Sequence, residues 1–312
     1  MALPRSLAPI VLTACAACAT SPHRPPPPVV VPSTQPTVGE SQSKDRAIVW
    51  VGDDEGEGRS FWIEPTPSGH RVTDEAPGIF IASRGSTWAW KTEKVDVPTQ
   101  ACDPDNGPSD APASTGVGTR GVFEEVGTAD RHVVVEPAPD DGANELDHRV
   151  VLLASAGPFA FIQESSYVYA CGAHGFTSAA LKVWDLTRSE AVVMSGPSAQ
   201  GQPTDDLLRQ ARDAFGEDDD ETGSNEAVDW VAIVPRYEAS ARLAVDFVFT
   251  TWACYACGDG AWGSYSRHAA IPGPVPKQLE PYVEAPDVVQ SFVEANPNLE
   301  LRGWSLTTES KR

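Results

Sequence analysis

From Arg46 onward the chain alternates short runs of β-branched, aliphatic and aromatic residues with clusters of Gly, Pro and Asp, the pattern of strands joined by turns. The runs predict strands over Ala47–Val51, Ser60–Glu64, Ile79–Ser83, Thr87–Lys91, His132–Glu136, Val150–Ala154, Phe159–Ala170, Ala179–Leu186, Ala227–Pro235 and Arg242–Trp252. In the last, Leu243, Val245, Phe247 and Phe249 alternate with Arg242, Asp246 and Thr250, giving one apolar and one wet face, as in an antiparallel sheet. Helical spacing occurs twice. Thr204-Asp205-Asp206 supplies a cap and first-turn acids ahead of Leu207–Phe215, and Asp287–Ala295 follows Pro286 and ends near Pro297. Residues 101–120 and 138–147 are rich in Gly, Pro and Asp and read as surface loops. The expected fold is therefore α+β and strand-dominated, with antiparallel sheet and one or two short helices, and an internal division near Asp140 that separates residues 46–140 from 141–312.

Before Arg46 the pattern changes. Arg5, a short apolar stretch from Leu7 to Ala14 and then Cys15 have the layout of a secretory signal over residues 1–14. Leu12-Thr13-Ala14-Cys15 resembles the lipobox of bacterial lipoproteins, in which the Cys thiol receives a diacylglyceryl group. Cys18 fits less well, because Cys15 would occupy the position that wants Leu. Ala16, where an Asp would retain the protein at the inner membrane, directs the expectation to the outer membrane, on its periplasmic or surface face. Residues 15–45 read as a lipid-anchored tether, since Pro22, Pro25 to Pro28, Pro32 and Pro36 favour extended backbone.

Composition narrows the partners. Among 312 residues, 23 are basic and 44 acidic, a formal charge of −21, which repels nucleic-acid phosphates and anionic lipid headgroups alike. Cleavage before Cys15 would remove Arg5 and leave 22 basic side chains, or −22. At 41% hydrophobic residues the chain can bury a core, which excludes wholesale disorder. The acids fall in the part after the tether, in loops such as Glu217–Glu221, and favour cationic or calcium-bearing partners.

The segment Ser166-Tyr167-Val168-Tyr169-Ala170-Cys171-Gly172-Ala173-His174-Gly175, followed by Lys182-Val183-Trp184-Asp185-Leu186, resembles an extracytoplasmic domain of unknown function. That domain is shared by the ectodomains of RsiV-type lysozyme-sensing anti-sigma factors and a group of peptidoglycan deacetylases. The likeness spans about residues 157–283 and continues in Thr204–Phe215, Leu243–Trp252 and the Pro-containing stretch from Ile271 to Tyr282. Cys171 stands where the family tends to have Gly, and no Gly follows Leu186. The resemblance implies a binding domain facing the cell wall, a cationic wall-active protein such as lysozyme as partner, and no catalytic residue to carry over. Read from the residues alone, the segment is a tight turn whose glycines allow positive φ. His174 stands at its tip, either bonded to local backbone or free to contact a ligand.

After the anchor, four cysteines remain in an oxidising compartment: Cys102, Cys171, Cys254 and Cys257. Three readings stay open. Structural disulfides would join, for example, Cys102 with one partner and Cys171 with another. Alternatively Cys171, His174, Cys254 and Cys257 supply a CxxH and a CxxC, the ligand types of tetrahedral zinc. The third is a redox CxxC, for which Gly258-Asp259-Gly260 begins no good helix to depress a thiol pKa. These set an enzyme alternative, metal-dependent or redox, centred on His174 and Cys171/Cys254/Cys257.

A calcium loop is approximated by Asp218, Asp220 and Thr222 with Gly223 and, at its twelfth position, Asp229. The plainer reading is a solvated acidic insertion. Nine Trp suit core packing, above all Trp50, Trp62 and Trp184, while exposed ones can stack on sugar rings. No Gly-x-Ser-x-Gly, His-Glu-x-x-His or phosphate loop occurs. The sequence thus points to a non-catalytic binding domain displayed in the cell envelope, requiring no cofactor and taking a cationic protein or a peptidoglycan component as partner.

Overall fold

The computed structural model describes residues 46–307 except 53–56, 100–101, 104–106, 109–113, 138–144, 170–173, 199 and 217–226. Its strands are β1 (Ala47–Gly52), β2 (Gly58–Thr66), β3 (Gly69–Pro77), β4 (Ile79–Ser83), β5 (Ser86–Thr99), β6 (Cys102–Asp103), β7 (Gly107–Pro108), β8 (Ser114–Glu125) and β9 (Arg131–Val135). They continue with β10 (Glu145–Ala156), β11 (Phe159–Tyr169), β12 (Phe176–Asp185), β13 (Glu190–Val192), β14 (Asp229–Tyr237), β15 (Leu243–Trp252), β16 (Ser266–Gly273) and β17 (Leu301–Leu306). Two short helices, α1 (Asp205–Phe215) and α2 (Asp287–Ala295), complete a strand-dominated α+β fold.

Twelve strands form one forked sheet. The path β13-β12-β11-β10-β17-β1-β2-β3 carries most of it, and β4, β5, β8 and β9 make a second arm. The fork is at β10, whose far edge meets β17 at Ser155 and Ala156 and meets β8 at Asp147. Both of these contacts are parallel while the hairpins are antiparallel, so the sheet is mixed rather than purely antiparallel. It also runs across the position near Asp140 where the sequence suggests a division: β1 to β5 precede that point and β10 to β12 and β17 follow it. A separate sheet, β14-β15-β16, lies against it.

Three cores fill the spaces between these layers. In the first, Val288, Val289, Phe292 and Val293 of α2 cover Val49, Phe61 and Ile63, with Phe61 and Phe292 rings 5.2 Å apart. Each buried apolar side chain contributes about 1.5–3 kcal/mol. The second joins Phe161 and Val183 to the inward residues Leu243, Val245, Phe247 and Phe249 of β15 and to Leu207 and Ala211 of α1. The alternation read from the sequence faces that core, and Thr204 caps α1 by accepting from the Leu207 N–H. The third lies inside the fork, where Trp50, Trp88, Trp90 and Phe123 meet.

Residues 101–120 depart from the loop assigned to them. From Ser114 they form β8, paired with β5 along its length. Gly118, in the stretch read as a loop, is a close-packing position instead, where a Cβ would lie 2.7 Å from Pro137; on Gly121, the next residue after that stretch, a Cβ would lie 2.6 Å from the Trp90 ring. The predicted loop 138–147 likewise ends early, at the start of β10.

Polar groups pin the branch. Trp50 Nε1 donates to Ser155 Oγ at 2.7 Å, and Tyr237 Oη donates to the Ser155 carbonyl at 2.7 Å, so one residue ties β10 to β1 and β14. Gly303 lies beneath that first bond, where a Cβ would be 2.0 Å from Ser155 Oγ and 2.1 Å from Trp50 Nε1. Farther along β10, His148 Nδ1 accepts from the Thr119 N–H, which turns the Nε2 proton toward Glu164 at 2.9 Å; Lys182 reaches the same carboxylate at 2.6 Å. The His148 hydrogen bond, then Lys182, outweigh partial burial and hold Glu164 at about 2.

Candidate functional site

The start of β12 and the loop between β15 and β16 meet at one end of the molecule. The Thr177 N–H donates to Ser264 Oγ at 2.5 Å, the Ser264 N–H donates back to the Thr177 carbonyl at 3.1 Å, and Ser178 bridges to Gly263. The second loop is itself held shut. Cys254 is bonded to Cys257 across a turn in which the Cys257 N–H donates to the Cys254 carbonyl at 2.8 Å. Asp259 accepts from the backbone N–H groups of Ala261 at 2.9 Å and His268 at 2.7 Å, and from His268 Nδ1 at 2.8 Å. Partial burial pushes that carboxyl upward, but these donors together outweigh it and hold it below the ordinary range.

This scaffold presents rings to solvent. His174 lies 4.9 Å from Tyr255, Tyr255 lies 5.7 Å from Tyr265, and Tyr265 stacks on Phe176 at 6.3 Å. Tyr255, Tyr265 and Phe176 remain 46, 41 and 48% exposed, far more than core rings tolerate. Trp252, in register opposite Ser266, is 53% exposed at the same end. Tyr167 lies against Gly175, where a Cβ would fall 2.1 Å from its hydroxyl. A contiguous row of half-exposed rings on braced loops can stack on flat ligands at little entropic cost.

The sequence-derived sites are distributed as follows. His174 and the Cys254–Cys257 turn adjoin through Tyr255. Cross-pairing of Cys254 or Cys257 with Cys102 or Cys171 is overturned, because the four-residue turn brings the two sulfurs to each other. The same bond removes both thiolates from the proposed zinc set of Cys171, His174, Cys254 and Cys257. Among the described residues no group of three or more His, Cys, Asp or Glu is arranged to hold a metal ion. A turn rather than a helix follows Cys254, which removes the dipole a thioredoxin-type centre uses. Cys102 lies in β6, paired with β7. Cys15 and Cys171 lie outside the described residues, as do Asp218, Asp220 and Thr222. Asp229 opens β14, paired with Thr250, where a helix–loop–helix calcium site needs the start of its exit helix.

Sequence reasoning missed Tyr255, Tyr265 and Phe176 as a group. The signal was available in the aromatic residues that flank the cysteine turn, but not the pairing that joins them to His174. Neither a protein-family model, nor a curated protein, nor a solved structure matches this chain.

Proposed function

We propose that the chain is a bacterial envelope lipoprotein, anchored through Cys15 in the outer membrane, whose folded part is a non-catalytic binding domain for a glycan-bearing component of the cell wall. One observation carries the binding reading: the row of exposed rings, Tyr255 and Tyr265 on a loop locked by a disulfide and by the Asp259 clamp, continued by Phe176 at the start of β12 and by His174. Sugar rings offer apolar C–H faces to such a row, and stacking needs no basic groups, in keeping with a chain of −21.

Co-sedimentation with purified peptidoglycan sacculi tests the domain. The wild-type chain pellets with sacculi, and Tyr255→Ala combined with Tyr265→Ala abolishes pelleting while leaving the thermal midpoint within a degree or two; pelleting that survives the pair overturns the reading. The net charge supports a second partner, a cationic wall-active protein. Capture by immobilised lysozyme at low salt that disappears as ionic strength rises would favour that partner over the glycan. Metabolic labelling with an alkyne fatty acid tests the anchor, with label lost in Cys15→Ser.

A further inference from the structure

The Cys254–Cys257 bond stands apart from the other braces of its loop. Before it, Ala253 is buried and its N–H donates to the Tyr265 carbonyl at 2.8 Å. After it, the Asp259 N–H donates to the Ser266 carbonyl at 3.1 Å, and the Asp259 carboxylate holds Ala261 and His268. Farther on, Ser264 is bonded to Thr177. The ends of the loop are thus fixed without the disulfide, which constrains only the stretch from Cys254 to Cys257. In that stretch lies Tyr255, the ring that links His174 at 4.9 Å to Tyr265 at 5.7 Å. Opening the bond loosens the middle of the ring row and little else.

Both cysteines are exposed, and so is Tyr255 between them. A disulfide shielded inside a fold resists reduction, whereas exposed ones form the labile and regulatory class. Once this bond is open, the turn keeps only two backbone bonds, from the Cys257 and Gly258 N–H groups to the Cys254 carbonyl at 2.8 and 3.0 Å. Next to water such bonds add little net stability. The short spacing also selects the reductant. After a first thiolate has attacked, the released cysteine remains within reach of the mixed disulfide and expels a monothiol again. A dithiol, with a second thiol of its own, carries the exchange to completion. No helix N-terminus follows Cys254 to depress a thiol pKa, so the pair is acted upon rather than catalytic.

We propose that Cys254–Cys257 is a thiol–disulfide exchange site, worked by an extracytoplasmic dithiol protein, that switches the ring row between a braced binding form and a loosened one. A thiolate of the dithiol attacks one Sγ, the S–S bond breaks, and the other Sγ leaves with the electron pair and takes a proton. The second thiol then displaces the remaining cysteine from the mixed disulfide. The chain gains two electrons and two protons, and the dithiol ends as a disulfide. The effect on binding rests on the wall-binding reading of the row, whereas the exchange itself does not.

The test treats the full, folded chain with dithiothreitol, or with glutathione at equal thiol concentration, then alkylates it and assigns the modified cysteines by peptide mass spectrometry. Dithiothreitol opens Cys254 and Cys257 while the chain stays folded, with the melting temperature lower by about 4–8 °C. Glutathione opens about a tenth as much or less. In NMR spectra the Tyr255 and His174 ring signals move on reduction and those of His268 do not. Sacculus binding falls at least about tenfold and returns with oxidised dithiothreitol. Cys254→Ser combined with Cys257→Ser has the affinity of the reduced chain and no response to dithiothreitol. Cysteines that stay unreactive until the chain unfolds, glutathione as effective as dithiothreitol, Tyr255 signals indifferent to reduction, or full reduction with sacculus binding unchanged would overturn the proposal. If the oxidised chain itself does not bind sacculi, the wall-binding reading fails separately, and alkylation with the Tyr255 signals still decides the exchange.

Discussion

The two ends of β11 are finished in opposite ways. At the Tyr169 end, rings that a core would normally hide stand half in water, and rigidity comes from a covalent turn and a clamped carboxylate. At the Phe159 end a cleft is walled by a helix, Trp304 is buried, and an indole N–H and a hydroxyl have no hydrogen-bond partner among the described residues. An eleven-residue strand keeps them roughly 33 Å apart. One end therefore leaves apolar area in reach of solvent, while the other keeps its unmet polar atoms out of it. Stability is also spent differently, since the first end risks exposed apolar surface and the second leaves buried polar atoms unsatisfied.

The sharpest way to break this comparison is Phe292→Ala. That ring supports the α2 wall against Phe61 and His70, and its loss costs about 3–5 kcal/mol. Urea unfolding should show the drop, and any folded remainder should retain sacculus binding. Next is the disulfide. Replacing Cys254 and Cys257 by Ser frees a loop of only a few residues, so denaturant midpoints should report about 2 kcal/mol, with sacculus binding lost and the cleft untouched.

Between the two ends, Glu164 supplies a pH signature. Its carboxyl sits at about 2 in the folded protein against an ordinary 4.5. The stabilisation is fully present above about pH 4.5 and is lost as pH falls toward 2. With solvent screening it amounts to about 1–2 kcal/mol. Glu164→Gln should remove that pH dependence in a stability-against-pH series and leave sacculus binding in place. The smallest effect belongs to Tyr265→Ala, a half-exposed ring whose removal should shift stability by no more than about 0.5 kcal/mol while weakening sacculus binding severalfold.

How legible these regions are in the sequence follows from how local their causes are. β4 has the predicted bounds Ile79–Ser83, α2 the bounds Asp287–Ala295, and α1 begins at its Thr204 cap, because a run of apolar residues or a cap speaks for itself within a few positions. β8 escapes notice because Gly118 stands in a Gly/Pro/Asp-rich stretch that reads as loop, and β17 is not among the predicted strands; Gly118, Gly121 and Gly303 are small so that Pro137, Trp90 or the Trp50–Ser155 bond can occupy the space. β3 is mostly exposed and polar, with little period-two contrast to detect. The same distinction separates the sites. His174 and the cysteine turn are visible as motifs, although the Cys254–Cys257 pairing is not. The cleft draws Ser83, Tyr282 and Trp304 from three distant segments, and nothing about any one of them announces an unmet hydrogen bond.

The place of β17 sets the order in which this chain can be made. The last strand sits between β10 and β1, with Ala47 opposite Leu306 and the Thr307 N–H bonded to the Arg46 carbonyl at 2.9 Å. A chain emerging from its N-terminus holds β1 with one edge unpaired, Trp50 waiting for Ser155 and the Trp304 side of the cleft missing, until nearly 260 residues later the seam is filled. Folding is therefore completed only once the C-terminal strand is available, and the partly made chain is the form that most needs a chaperone.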